Sequence, residues 1–85
     1  MSSSLAVEYN KIDGLNCEWG YGDHEYLMST IRSLEIAKEK CTRDNYCDGI
    51  NDYGCNGKHL KMCSKGTSLR NSSHGGCVFD KKGIS

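Results

Sequence analysis

Six cysteines among 85 residues constrain this chain more than any other feature. A chain this short buries only about 60% of its unfolded surface. Hydrophobic residues make up 36% of it, so the apolar core is thin and something else must hold it. An even number of cysteines at this density reads as a disulfide framework made in an oxidising compartment, which predicts a secreted or extracellular protein. The cysteines stand at 17, 41, 47, 55, 63 and 77, with 23, 5, 7, 7 and 13 residues between them. That spacing does not choose among the possible pairings. It does disfavour structural zinc, which needs two close ligand pairs on short turns, and no such pair occurs. No cofactor is expected.

One helix is signalled over 34–43: Ser33 can cap it, Glu35 sits in its first turn, and Leu34, Ala37 and Cys41 share a face. The other elements read as short strands, namely Val7-Glu8-Tyr9, 48–51, 60–63 and Cys77-Val78-Phe79, with Asn56-Gly57 as a tight turn. Residues 66–76, rich in Ser, Gly and Asn, read as a long surface loop. The expected class is α+β, in one small disulfide-rich domain. Met1 to Leu5 offer neither a basic start nor an apolar run, so a mature or excised form is expected. No apolar run approaches the length of a membrane span, so no membrane insertion is expected.

The order and spacing of several short runs resemble the PAN/Apple domain family. They are Ser33 to Cys41, Cys47-Asp48-Gly49-Ile50, Gly54-Cys55, Leu60-Lys61-Met62-Cys63 and Cys77-Val78-Phe79-Asp80-Lys81. The resemblance covers about residues 9–82, which implies a domain over 9–82 with 1–8 as a tail or first strand and 83–85 as a tail. It implies a curved antiparallel sheet cradling one helix, and nested bridges pairing Cys17 with Cys77, Cys41 with Cys63 and Cys47 with Cys55. It also implies a binding module for extracellular proteins or carbohydrates, with roles such as lectin activity or cell adhesion. The alternative on the same scaffold is a secreted effector, a toxin or an inhibitor of a protease or channel.

Eleven basic and eleven acidic residues cancel, which argues against nucleic-acid binding. Their distribution is polar: residues 1–30 carry a net charge of −4 and residues 54–85 a net charge of +5. Lys58, His59, Lys61, Lys65 and Arg70 are the candidate charged contacts for an acidic glycan or an acidic protein patch. Tyr21 and Tyr26, close to Trp19, are the candidate stacking faces, while Trp19 is expected to pack in the core. Asn71-Ser72-Ser73 is an N-glycosylation sequon. Asp44-x-Tyr46-x-Asp48-Gly49 imitates a calcium loop but has Cys55 where a bidentate glutamate is required, so its acids are expected to form turns. The three histidines lack a nucleophile motif, and no hydrolase or phosphate-loop signature occurs, so no enzyme is expected.

Overall fold

The structure is a computed structural model that describes residues 7–25 and 30–82, with side chains described for 7–22 and 34–81. Its elements are β1 (Glu8–Asp13), β2 (Leu15–Cys17), β3 (Gly20–Glu25), α1 (Thr30–Arg43), β4 (Cys47–Asp52), β5 (His59–Ser64), β6 (Leu69–Asn71) and β7 (Cys77–Lys82). Five strands form an antiparallel sheet in the order β1-β7-β4-β5-β3, and β2 and β6 pair as a separate antiparallel ribbon. This is an α+β disulfide-rich domain. The helix begins at Thr30, so Ser33 lies inside it and does not cap it.

Strand alternation divides the sheet into two faces. Register sets Ile50 opposite Met62 and Phe79, and Asp52 opposite Leu60 and Cys77. This face packs against α1 through Ala37 and Cys41, both fully buried, with Leu34, Tyr9 and Tyr21 half-buried around it. The opposite face carries Gly49, Asn51, Lys61, Cys63 and Val78. The β2–β6 ribbon lies on that side, bonded through Cys17 to Cys63. Helix, sheet and ribbon thus make three layers.

Polar bonds fasten the helix to the sheet. The Tyr9 hydroxyl donates to the Lys38 carbonyl at 3.0 Å and accepts from Thr42 Oγ1 at 2.8 Å. Lys81, on β7, donates from Nζ to the Cys41 and Asp44 carbonyls at 2.6 and 3.1 Å, adding a charged donor to two carbonyls at the helix exit that also accept from the Asp44 and Cys47 N–H groups. Gly49 lies so close to β7 that an added Cβ would sit 2.7 Å from the Phe79 carbonyl oxygen.

All six cysteines are oxidised, but not in the nested pattern that the family resemblance implies. The bridges are Cys17–Cys63, Cys41–Cys47 and Cys55–Cys77, with Cα separations of 5.8, 5.3 and 5.1 Å. The pairs Cys17/Cys77, Cys41/Cys63 and Cys47/Cys55 do not form. The reason is register and layering. Asp52 pairs with Cys77 across β4 and β7, and the turn after Asp52 carries Cys55 to the same corner. The reversal at Asp44–Tyr46 brings the last turn of α1 beside the first residue of β4, so Cys41 and Cys47 enter the core together. Cys63 is then left on the ribbon side of β5, facing Cys17.

Two expectations about aromatics are also corrected. Trp19 is 61% exposed because it sits in the bend between β2 and β3, outside both apolar layers. Tyr21, expected at the surface, packs against the core because its position on β3 pairs it with Met62 on the helix side.

Candidate functional site

A cleft of about 590 Å³ opens between the ribbon and the face of the sheet turned away from α1. β5 builds one wall: His59 and Lys61 are exposed and line the cleft together with the buried Leu60, while Met62 is buried in the core. The ribbon supplies Asn16 and Arg70 from the other side, with Glu18 directly after β2. Tyr53, in the turn after β4, and His74, in the loop before β7, stack at the edge with ring centroids 4.5 Å apart and planes 32° from parallel.

Asn51 of β4 also lines the cleft and is 8% exposed. Its Oδ1 accepts from Asn16 Nδ2 and from the Cys17 backbone N–H, each at 2.9 Å, which pins the ribbon to the sheet. Its Nδ2 has no partner among the described residues. Buried amide hydrogens are almost always bonded to protein or to ordered water, so this donor on the cleft wall is one that water or a ligand oxygen can meet.

The surrounding loops are fixed by short polar bonds. Asp52, 3% exposed, accepts from the backbone N–H groups of Asn56 and Gly57 at 3.1 and 2.8 Å, which shapes the turn presenting Tyr53. Ser72 Oγ accepts from the N–H groups of His74 and Gly76 at 3.1 and 2.8 Å. The Ser72 N–H donates to the Gly14 carbonyl at 2.9 Å, and the Gly14 N–H to the Gly76 carbonyl at 2.9 Å, so the 72–76 loop is tied to the β1–β2 turn.

Of the residues singled out from the sequence, His59, Lys61 and Arg70 meet in this cleft, and Asn71 lines it too. Lys58 and Lys65 are exposed in connections on either side of β5 and do not line it. Tyr26 lies outside the described residues. Tyr21 sits on the opposite face, outside the cleft: its hydroxyl donates to Asp44 Oδ2 at 2.5 Å, and its ring meets Tyr46 edge-on at 5.4 Å. Burial and the neighbouring Asp44 carboxylate push the Tyr21 phenol far above its ordinary value. Reciprocally, the Tyr21 hydroxyl and the Tyr46 backbone N–H hold the Asp44 carboxyl below the usual range. Asp44 and Asp48 act as turn formers. Asp44 Oδ1 accepts from the Tyr46 N–H at 2.9 Å, and Asp48 Oδ2 from the Gly66 N–H at 2.9 Å. A further acidic corner places Asp13 Oδ1 4.0 Å from Cys55 Sγ, but the Cys55 and Cys77 sulfurs are bonded to each other and offer no thiolate.

Asn16, Glu18, Asn51, Tyr53 and His74 are cleft residues that charge reading did not single out. Asn51 carries no distinct sequence signal, since Asp48 and Asp52 share its strand and polarity alone does not separate them. No protein-family model, no curated protein and no solved structure matches this chain.

Proposed function

We propose that this protein is an extracellular binding module whose ribbon-covered cleft takes a short acidic carbohydrate. The observation that carries this reading is the Asn51 Nδ2, without a partner among the described residues, lining a cleft that also holds two side-chain amides, one carboxylate, one lysine and one arginine. Sugar hydroxyls both donate and accept, and this mixture of amide, Glu18 and cation answers both, while the Tyr53–His74 stack offers an apolar face to a pyranose ring. Arg70 and Lys61 select a carboxylate or sulfate, with Arg70 able to bind it bidentately. The cleft is too mixed in sign for a long polyanion to be its best ligand. The disulfide framework and the sequon accord with an extracellular setting. The module is not expected to be an enzyme.

The test is calorimetric titration with a hexasaccharide of alternating uronic acid and N-acetylhexosamine, against maltohexaose as the neutral control. Binding of the acidic sugar alone, weakened about tenfold or more by Arg70→Ala and by Asn51→Leu, supports the reading. Equal binding of both sugars, or none of either by the unglycosylated protein, refutes it.

A second reading rests on a different observation. Trp19 and Leu69 are 61% and 39% exposed, and ribbon register places the Leu69 position opposite Cys17, two residues before Trp19. Exposed aromatic and aliphatic anchors suit a protein contact, as a secreted inhibitor of a protease or channel would need. Inhibition that is lost in Trp19→Ala, in a protein that binds neither sugar, would favour it.

A further inference from the structure

The sequon and the cleft converge on one place in the fold. Asn71 is the last residue of β6, is exposed, and lines the same cleft as its neighbour Arg70. Ser73, the sequon hydroxyl, lines it as well, and so does His74. We infer that Asn71 carries an N-linked glycan whose first sugars occupy the mouth of this cleft and close it to free ligand, so that glycosylation sets whether the module binds.

The attachment point is held in place. The Asn71 backbone pairs with Leu15, and the next residue is bonded through both its N–H and its Oγ to the β1–β2 turn and the 74–76 backbone. A sugar leaving the Asn71 amide therefore starts at the rim of the cleft that Tyr53 and His74 also line. The same amide and carboxylate groups that suit a sugar hydroxyl suit the N-acetyl and hydroxyl groups of a linked N-acetylglucosamine. A cleft of about 590 Å³ lies within the usual range for a small ligand, so a tethered sugar and a free one compete for the same space. Tethering through so short a link places the first sugar at an effective concentration on the order of millimolar, enough to outcompete a free sugar of comparable intrinsic affinity at micromolar concentration.

This inference rests on the proposed carbohydrate cleft, and its test separates the two. The wild-type chain is made in a host with secretory N-glycosylation and, separately, in one without it followed by oxidative folding. A third sample is the secreted glycoprotein trimmed by endoglycosidase to one N-acetylglucosamine, and Ser73→Ala made in the glycosylating host is the fourth. Mass analysis of residues 71–81 reads occupancy, NMR reads the ring protons of His59 and His74 without ligand, and titration with the acidic hexasaccharide reads affinity. The expected result is an occupied Asn71, His74 ring shifts that differ between glycosylated and bare wild type, and hexasaccharide binding at least fivefold weaker in the glycosylated form. An unoccupied Asn71, or glycosylated and bare forms with the same histidine shifts and affinity, overturns it. If the bare protein binds no hexasaccharide, the carbohydrate reading fails, and unchanged or changed histidine shifts still decide whether the glycan lies in the cleft.

Discussion

Removing the Cys17–Cys63 bridge tests the layered architecture directly. In Cys17→Ala/Cys63→Ala the denatured chain regains the freedom of a closed loop spanning 46 residues. Loop-closure entropy assigns that freedom about 4 kcal/mol, against about 3.4 for Cys55–Cys77 and about 2 for Cys41–Cys47. Cys63 is 2% exposed, so losing its sulfur also opens a methyl-sized void costing about 1 kcal/mol, bringing the loss to about 5 kcal/mol. A domain of this length has a net stability of about 4–13 kcal/mol, so the loss is a large share of the total. With a guanidinium slope of about 3 kcal/mol/M, the unfolding midpoint falls by roughly 1.7 M. A non-reducing tryptic map checks the premise on the wild type. Residues 44–58 carry Cys47 and Cys55 on one peptide, which the observed bridges link to both 41–43 and 71–81, while 12–32 is joined to 62–65. The nested pairing instead closes 44–58 on itself. A map of that second kind, or a midpoint lowered by less than about 0.5 M, would refute the reasoning.

Other perturbations address single contacts. Gly49→Ala should lower stability by about 2 kcal/mol, read as a drop of roughly 10 °C in Tm, because its Cβ meets the Phe79 backbone, and an unchanged Tm would show that β4 and β7 can part there. Asp52→Ala should cost about 3 kcal/mol by chemical denaturation, since it strands the backbone N–H groups of Asn56 and Gly57. Burial raises the phenols of Tyr9 and Tyr21, so the stability they contribute is complete below about pH 10 and fades as pH climbs through their raised values. Absorbance at the tyrosinate band should therefore show a late fraction, and a single step at the ordinary value would contradict it. Asp44 works in the opposite sense: its contribution is present above about pH 4 and fades as pH falls through its lowered value, so Asp44→Asn should flatten the acid limb of the stability profile.

Much of the scaffold was legible in local pattern. The apolar face of Leu34, Ala37 and Cys41 marked the helix, and the runs at 48–51, 60–63 and 77–79 lie inside β4, β5 and β7. Alternation and helical periodicity are properties of neighbouring residues, so they can be read without knowing the fold. The three-residue strands β2 and β6 were not legible, because a segment that short shows no period and their ribbon is held by contacts from elsewhere. Oxidation of all six cysteines followed from their number, whereas their partners did not. Which sulfurs meet depends on which strands become neighbours, and only the β4–β7 register brings Cys55 to Cys77. The site divides in the same way. Charge along the chain pointed to His59, Lys61 and Arg70, since a basic segment is visible in one dimension. Their convergence with Asn51, Tyr53 and His74, and the exile of Tyr21 to the far face, came from strand parity across a folded sheet. A shift of one residue in that register would exchange the two faces, and with them the cleft and the core.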